Sequence, residues 1–257
     1  MAVDVHHELS GPADGPPVVL SSSLGTNLEM WDAQVGPLSG RHRVVRYDMR
    51  GHGRSPVPPG PYAIDDMGGD ALALLDRLGL ERVSWVGVSM GGMIGMWLAI
   101  NAPERIDRLV LCCTSARMDP AGWADRIAAI RAGGGVAAIA DAVIARWLTQ
   151  EWREAHPAQT AALRDALAAQ PIDGYVACCE AIAAMDLRPG LPSIAADTLV
   201  IAGRHDVATP PEEHSRPIAD AIPAARYRVV EGAHLAPIDA ADAVTELIIE
   251  HLGGGPA

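Results

Sequence analysis

Residues 83–96 carry the sequence VSWVGVSMGGMIGM, which predicts a buried strand, a tight turn and then a helix. Ser89 stands at the turn, with Gly87 and Gly91 two residues to either side. A serine on so sharp a turn needs small neighbours there, because side chains would collide across the bend. The pattern predicts a reactive serine hydroxyl at the start of a helix, and a plain glycine-rich turn is the alternative.

Strand and helix patterns alternate on both sides of this turn. Helical spacing of apolar residues predicts one helix at 65–79, with Asp65 as its N-cap, and another at 240–252. This alternation indicates an α/β fold with a mostly parallel central sheet and helices on both faces. Besides residues 83–88, the strands are predicted at 3–9, 18–22, 43–48, 108–113, 198–203 and 226–230.

The strand signal is missing between residues 117 and 187. A helical block between two strands of a sheet is typical of a lid over a pocket, and extra packing on one face is the alternative. We therefore expect a core of residues 1–116 and 188–257 with a helical lid at 117–187. The lid helices are predicted at 121–132, 136–149, 152–169 and 174–185.

Length and charge limit the class of protein. A chain of 257 residues suits one large domain around a single core. Its formal net charge of −12 argues against nucleic acid or an anionic membrane as a partner. The N-terminus lacks the pattern of a secretory signal, and no apolar segment is long enough to span a bilayer. We expect a soluble, cytoplasmic protein, with a homo-oligomer left open.

The four cysteines fall as two adjacent pairs, Cys112-Cys113 and Cys178-Cys179. This arrangement has neither the spacing of zinc ligands nor the look of a disulfide framework. We expect all four to be small core residues in a reducing compartment.

A serine hydroxyl needs a base to remove its proton during attack, and a carboxylate to orient that base. Asp206 follows the predicted strand at 198–203, and His234 follows the last strand. The order Ser89, Asp206, His234 is the order of the α/β-hydrolase triad. The rivals fit less well, because none of them follows a late strand in the required order; they are Asp186, Asp197, His205 and His214.

The oxyanion of an acyl-transfer reaction needs two backbone donors. Met90 N–H, at the start of the helix after Ser89, is the first candidate. The second comes from the loop after the strand at 18–22, where we expect Leu24 N–H to serve, an ordinary strand-to-helix loop being the alternative. Ser89 would then attack an ester-type carbonyl, and water would release the acid. Nothing in the sequence calls for a cofactor or a metal.

The loop at 49–55, with the sequence MRGHGRS, lacks the spacing of a phosphate-binding loop. We expect Asp48, Arg50 and Arg54 to tie this loop near the mouth of the pocket. His52 is a poor candidate for a general base, because histidines in such loops are usually solvated or hydrogen-bonded.

Together these segments resemble the 3-oxoadipate enol-lactone hydrolases, a family of α/β hydrolases in the β-ketoadipate route of aromatic catabolism. The resemblance runs nearly end to end, and its more specific signals are the Leu-Gly-Thr segment and the Gly-Tyr segment with the second cysteine pair. The matching segments are SSLGTNLEMWD at 22–32, YDMRGHGRS at 47–55, GVSMGGMIG at 87–95, GYVACC at 174–179 and VIAGRHDVATPP at 200–211.

The resemblance implies cofactor-free hydrolysis of the enol-lactone to 3-oxoadipate. That substrate carries a free carboxylate, which is costly to bury without a cation or several hydrogen bonds. Arg126 is our candidate partner for it, a solvated helix face being the alternative. Trp123, Trp147 and Trp152 could line an apolar pocket, although core packing is the more common role of tryptophan.

Other functions remain open at this point. The same three residues would serve a broad-specificity carboxylesterase or a cofactor-free perhydrolase. A non-catalytic small-molecule binding protein is a third possibility, against which the intact set of Ser89, Asp206 and His234 argues.

Overall fold

The computed structural model describes residues 2–253, and within them the chain forms one seven-stranded sheet. The strands are β1 His7–Ser10, β2 Pro17–Ser21, β3 Arg43–Tyr47, β4 Val83–Val88, β5 Ile106–Cys112, β6 Asp197–Gly203 and β7 Arg226–Val230. Their order in the sheet is β1-β3-β2-β4-β5-β6-β7, and every neighbouring pair is parallel except β1 with β3.

The helices account for most of the remaining chain. Helix α1 packs against α11 and helix α2 packs against α3, which gives helical layers beside the sheet. They are α1 Asp32–Ser39, α2 Ile64–Arg77, α3 Met90–Asn101, α4 Pro120–Ala132, α5 Ala140–Trp147, α6 Gln150–Ala155, α7 Pro157–Ala168, α8 Ile172–Ala184, α9 Ser215–Ala221, α10 Ala236–Asp239 and α11 Ala241–His251.

The central strands of the sheet are buried on both faces. All six residues of β4 are buried, and Trp85 within it is fully shielded from solvent. A parallel sheet covered by helices needs such continuous apolar strands, because each face packs against a helix. Helix α3, whose sequence is apolar almost all round, lies against β4 and β5 in the same core. The α/β fold predicted from the sequence is therefore confirmed.

Five helices, α4 to α8, occupy the chain between β5 and β6. The two ends of this insertion meet, because Leu187 N–H donates to the carbonyl of Ala116 at 2.8 Å. The two ends of the insertion therefore lie side by side, as is needed for a segment inserted at the carboxyl ends of the strands. That residues 117–187 act as a lid stays a prediction.

The prediction of one helix over 152–169 is wrong. Helix α6 ends at Ala155, and Pro157 begins α7. Proline lacks the N–H that a continuous helix would need there, and it suits the first position of a new one. Similarly, the segment predicted as a helix from 136 begins with a 3₁₀ turn at Val136–Ile139, and α5 starts only at Ala140.

Two further boundaries differ from the prediction. Strand β1 begins at His7 instead of residue 3, because Val3 N–H donates to the Asp70 carboxylate at 2.7 Å and no strand lies beside it. Helix α2 begins one residue before Asp65, which accepts from the Trp97 indole at 3.0 Å instead of capping the helix. Both changes come from side chains far away in the sequence.

Candidate active site

Ser89 lies between the end of β4 and the start of α3, with backbone angles of φ 54° and ψ −118°. Few residues other than glycine adopt a positive φ, and such strain at a strand-to-helix turn is typical of a nucleophile. The bend leaves no room beside it: a Cβ on Gly87 would lie 2.2 Å from the Gly91 carbonyl oxygen, and one on Gly91 would lie 2.1 Å from that of Ser21. The steric reason given for both glycines therefore holds.

His234 reaches Ser89 from the loop after β7. Its Nε2 lies 2.9 Å from Ser89 Oγ, and its Nδ1 lies 3.0 Å from Asp206 Oδ2. The carboxylate can only accept, so Nδ1 carries the proton and Nε2 is free to accept from the serine hydroxyl. All three side chains are buried, with exposures of 7% for Ser89, 3% for Asp206 and 4% for His234. The structure thus brings the three predicted residues into one hydrogen-bonded chain.

Asp206 is held in the loop after β6 by its own neighbours. Oδ1 accepts from Ala208 N–H at 2.8 Å and from Thr209 N–H at 2.9 Å, and Oδ2 accepts from the Thr209 hydroxyl at 2.6 Å. Burial by itself would raise the pKa of Asp206, but its electrostatic attraction to His234 and the hydrogen bonds from His234 and Thr209 hold the pKa below its usual value. The group is therefore a fixed carboxylate at neutral pH.

The rival candidates are engaged elsewhere. Asp186 and Asp197 form ion pairs on the surface, His205 faces a glutamate, and His214 bonds a serine hydroxyl. Their partners, in the order Asp186, Asp197, His205 and His214, are Arg188, Arg108, Glu231 and Ser115.

The two predicted oxyanion donors lie close to the serine. Leu24 lines the same cavity as Ser89, and Met90 is the first residue of α3. A first-turn N–H has no acceptor within its own helix, and among residues 2–253 the Leu24 N–H also has no acceptor. That these two N–H groups form the oxyanion hole stays a prediction.

His52 is buried beneath the loop that carries Leu24. Its Nε2 accepts from Gly25 N–H at 2.8 Å, and its Nδ1 lies 3.2 Å from the Arg50 carbonyl oxygen. Burial lowers the pKa of His52, so the ring is neutral. It is hydrogen-bonded, as expected for such a loop, but it supports the loop after β2, which the sequence did not indicate.

The other residues of the loop after β3 have structural partners. Asp48 accepts from Leu28 N–H at 2.8 Å and from Arg54 N–H at 2.9 Å, and Arg50 forms a buried ion pair with Asp70 at 2.6 Å. The structural role expected for Asp48, Arg50 and Arg54 agrees with these contacts, which join the loop to the chain after β2 and to α2. None of the three lines the cavity at Ser89, and their place near its mouth stays a prediction.

A cavity of about 360 Å³ opens above Ser89 and His234. Its far wall comes from α4 and α5, where Trp123, Arg126 and Trp147 line it as predicted. Trp152 does not line it, and lines instead a separate groove together with α7 and residues 27–33. Arg146 lines the same wall and was not predicted from the sequence, because nothing local distinguishes it from a solvated arginine.

All four cysteines are free and buried, as expected for core residues. Burial raises the pKa of Cys178 well above its usual value and that of Cys179 to about 12. These thiols are therefore protonated, and they do not compete with Ser89 as nucleophiles.

The described residues were also compared with the requirements of a metal site and of a membrane-spanning helix. Between residues 2 and 253, no group of three or more His, Cys, Asp or Glu side chains is arranged to hold a metal ion. In the same part of the chain, no helix combines the length and the apolar character needed to cross a bilayer.

Known proteins that are similar to this chain identify its family. Residues 16–241 match the family of the alpha/beta hydrolase fold. The chain is 37% identical to 3-oxoadipate enol-lactonase 2 of Acinetobacter baylyi, over 92% of this chain and 88% of that protein. It is 31% identical to a putative carbamate hydrolase, RutD, of Stutzerimonas stutzeri, over 96% of each.

Among solved structures, the enol-lactonase from Burkholderia xenovorans superimposes with a TM-score of 0.95 and 42% identity, over 98% of this chain and 97% of that one. The resemblance stated from the sequence is therefore confirmed. The chain belongs to the α/β hydrolases, within the family that includes the 3-oxoadipate enol-lactonases.

Proposed function

We propose that the chain hydrolyses the enol-lactone of 3-oxoadipate to 3-oxoadipate through an acyl-enzyme on Ser89. The observation that carries this is the unbroken hydrogen-bonded chain from Asp206 through His234 to Ser89, which ends in a small cavity. Relatives named as enol-lactonases support the choice of substrate.

The first half of the reaction opens the lactone ring. Ser89 Oγ attacks the carbonyl carbon while His234 Nε2 takes its proton, and Asp206 stabilises the imidazolium that forms. The N–H groups of Leu24 and Met90 hold the developing oxyanion. His234 then returns the proton to the enol oxygen as the ring bond breaks. Because the leaving oxygen belongs to the same molecule, it stays attached to the acyl group as an enol hydroxyl, which tautomerises to the ketone as the O–H proton is lost and the neighbouring carbon gains one.

The second half releases the product. Water enters, His234 takes one of its protons, and the new hydroxide attacks the acyl carbon. Collapse of this intermediate returns the proton to Ser89 and frees 3-oxoadipate. In this proposal Trp123 and Trp147 pack against the ring, and Arg126 holds the free carboxylate.

The test uses purified protein and freshly generated enol-lactone, followed by the loss of ultraviolet absorbance. The wild-type chain is expected to turn over the lactone, and Ser89→Ala is expected to lower kcat by about three orders of magnitude or more. Normal turnover by Ser89→Ala would assign the chemistry to another residue.

A broad carboxylesterase, or a perhydrolase on the same triad, is the second candidate. The aromatic and aliphatic side chains of the cavity wall favour it, since they would also accept neutral acyl groups. Comparing kcat/KM for the enol-lactone and a short aryl ester separates the two functions. A binding protein without activity would turn over neither substrate.

A further inference from the structure

Two arginines face the cavity above Ser89 from neighbouring helices. Arg126 projects from α4 and Arg146 from α5. The chain has no lysine, so all 20 of its basic side chains are arginines. Most of these form ion pairs, but within residues 2–253 neither Arg126 nor Arg146 has a carboxylate within 4.0 Å.

Each guanidinium is held in place by other means. That of Arg126, which is half-buried, lies 4.6 Å from the ring centroid of Trp123, a distance suited to cation–π stacking. That of Arg146, which is more exposed, donates to the Val207 carbonyl at 3.3 Å. One arginine is therefore deeper in the cavity and the other lies nearer to solvent.

The two positive charges act on each other. Burial and then the charge of Arg126 lower the pKa of Arg146. Placing two like charges around one cavity raises the free energy of the empty site, and an anion bound between them would lower it. Such a pair also attracts anions toward a chain whose net charge of −12 otherwise repels them.

Acidic groups nearby offset only part of this charge. Asp119 lines the cavity and caps α4, where its Oδ1 accepts from Ala121 N–H at 3.1 Å, so its single negative charge stands against the two arginines. Asp206 lies behind His234, and its negative charge is balanced by the imidazolium that His234 forms during catalysis. The charge left for a ligand in the outer part of the cavity is cationic.

We propose that Arg126 and Arg146 together form an anion site, which selects esters and lactones whose acyl group carries a free carboxylate away from the scissile bond. This rests on the proposed function, because it places that carboxylate on the acyl group that Ser89 attacks. Arg146 is the residue added to that function, and the charge of the acyl group, more than the shape of the ring, sets the substrate preference.

The test compares two aryl esters with one leaving group, p-nitrophenyl butyrate and mono-p-nitrophenyl glutarate. The wild-type chain is expected to prefer the anionic ester, with a preference that weakens as salt is added. Arg126→Gln and Arg146→Gln should each lower kcat/KM for the anionic ester by about 10- to 100-fold, mainly through KM, and leave the neutral ester nearly unchanged. Arg131→Gln is the matched control, because Arg131 lies on α4 but pairs with Glu180 outside the cavity.

Equal losses on both esters, or none on either, would overturn the anion site. If the wild-type chain cleaves neither ester nor the lactone, the proposed function fails instead. The site is then tested by titrating Ser89→Ala with glutarate in a calorimeter. Binding that is lost in both the Arg126→Gln and Arg146→Gln backgrounds supports the site, and no binding to Ser89→Ala contradicts it.

A separate observation concerns the loop that carries Leu24. Gly25, the next residue, has a φ of 80°, and a Cβ on it would lie 2.6 Å from Leu167 and 3.0 Å from Tyr175. Side chains of the insertion therefore pack closely against this loop on one side. On the other side, the fully buried His52 accepts a hydrogen bond from Gly25 N–H at 2.8 Å. The loop has little freedom to move.

We infer that His52 is a positioning residue, which keeps the Leu24 N–H aimed at the oxyanion through its bond to Gly25. His52→Leu removes the acceptor, whereas His52→Gln offers an amide oxygen in about the same place. His52→Leu should lower kcat by roughly 10- to 100-fold with little change in KM, because a small displacement of an oxyanion donor affects the transition state most. His52→Gln should recover most of that loss.

The control is His42→Gln, a change at a buried histidine outside the cavity. Melting temperatures of all variants are measured, and kinetics are taken well below the lowest. Wild-type kcat in folded His52→Leu, or no recovery by His52→Gln at equal stability, would show that His52 only fills space.

Discussion

The sheet and the helical insertion hold their functional groups in different ways. Ser89, Asp206 and His234 sit at the ends of β4, β6 and β7, buried and joined by hydrogen bonds of 2.9 and 3.0 Å. Arg126 and Arg146 stand on helices, where they are partly exposed and have no carboxylate partner among residues 2–253. Under the proposed function, this difference gives a division in which residues on the sheet carry out the chemistry and residues on the insertion select the substrate.

The largest effect is expected at Asp206. Asp206→Asn keeps the shape of the side chain but can donate to His234, which favours the wrong tautomer, so kcat should fall by about 10³- to 10⁴-fold. Steady-state kinetics on the enol-lactone measure this change in kcat. Asp197→Asn, a change at the start of β6 and on the surface, is the matched control and should leave kcat unchanged. A similar loss in both variants would place the carboxylate elsewhere.

The turn at Ser89 should tolerate no side chain at Gly91. The new methyl of Gly91→Ala would lie 2.1 Å from the Ser21 carbonyl oxygen, a backbone atom that cannot move alone. We expect a loss of about 1–3 kcal/mol in the free energy of unfolding, and weaker activity. Gly69→Ala, within α2 and with open space around its Cβ, should instead stabilise by about 0.5–1 kcal/mol. Chemical denaturation compares the two.

Substitutions in the insertion should act on binding more than on chemistry. Trp123→Ala removes the ring under the Arg126 guanidinium, so KM for the lactone should rise by roughly 3- to 10-fold with kcat within about twofold of the wild type. Initial rates over a range of lactone concentrations give both constants. If kcat falls as far as in the triad variants, the division between sheet and insertion is wrong.

The smallest effect concerns stability and pH. Burial lowers the pKa of His42, His52, His214 and His251 from the ordinary value of 6.5. Below that value the unfolded chain takes up protons that the folded chain does not, so the free energy of unfolding falls as pH drops. Between pH 7.5 and 5.5 the melting temperature should fall by a few degrees, roughly 2–4 °C for each kcal/mol lost. His52→Gln should flatten this slope, and a rise in melting temperature toward pH 5.5 would contradict the account.

The sequence was most informative where the requirement is local. Gly87 and Gly91 flank Ser89 because one bend demands both, so three neighbouring letters predict the turn. The order of Asp206 and His234 after their strands was also readable, since a parallel sheet brings strand ends to one edge.

Other features depend on segments that meet only in the fold. His52 supports Gly25 from a different loop, 27 residues further along the chain. Arg146 faces the cavity only because α5 packs over it, and its neighbours in sequence do not reveal this. The capping of α2 was misjudged for the same reason, because Asp65 accepts a hydrogen bond from the indole of Trp97 on α3. Packing partners of this kind cannot be deduced from spacing.

The most direct test of the central claim is to label the nucleophile. The chain is treated with a fluorophosphonate, and its peptides are mapped by mass spectrometry beside an assay on the enol-lactone. The account predicts a single adduct on Ser89, loss of turnover in proportion to labelling, and much slower labelling in His234→Ala. Full turnover by a chain labelled completely at Ser89, or an adduct on another residue that alone abolishes activity, would contradict it.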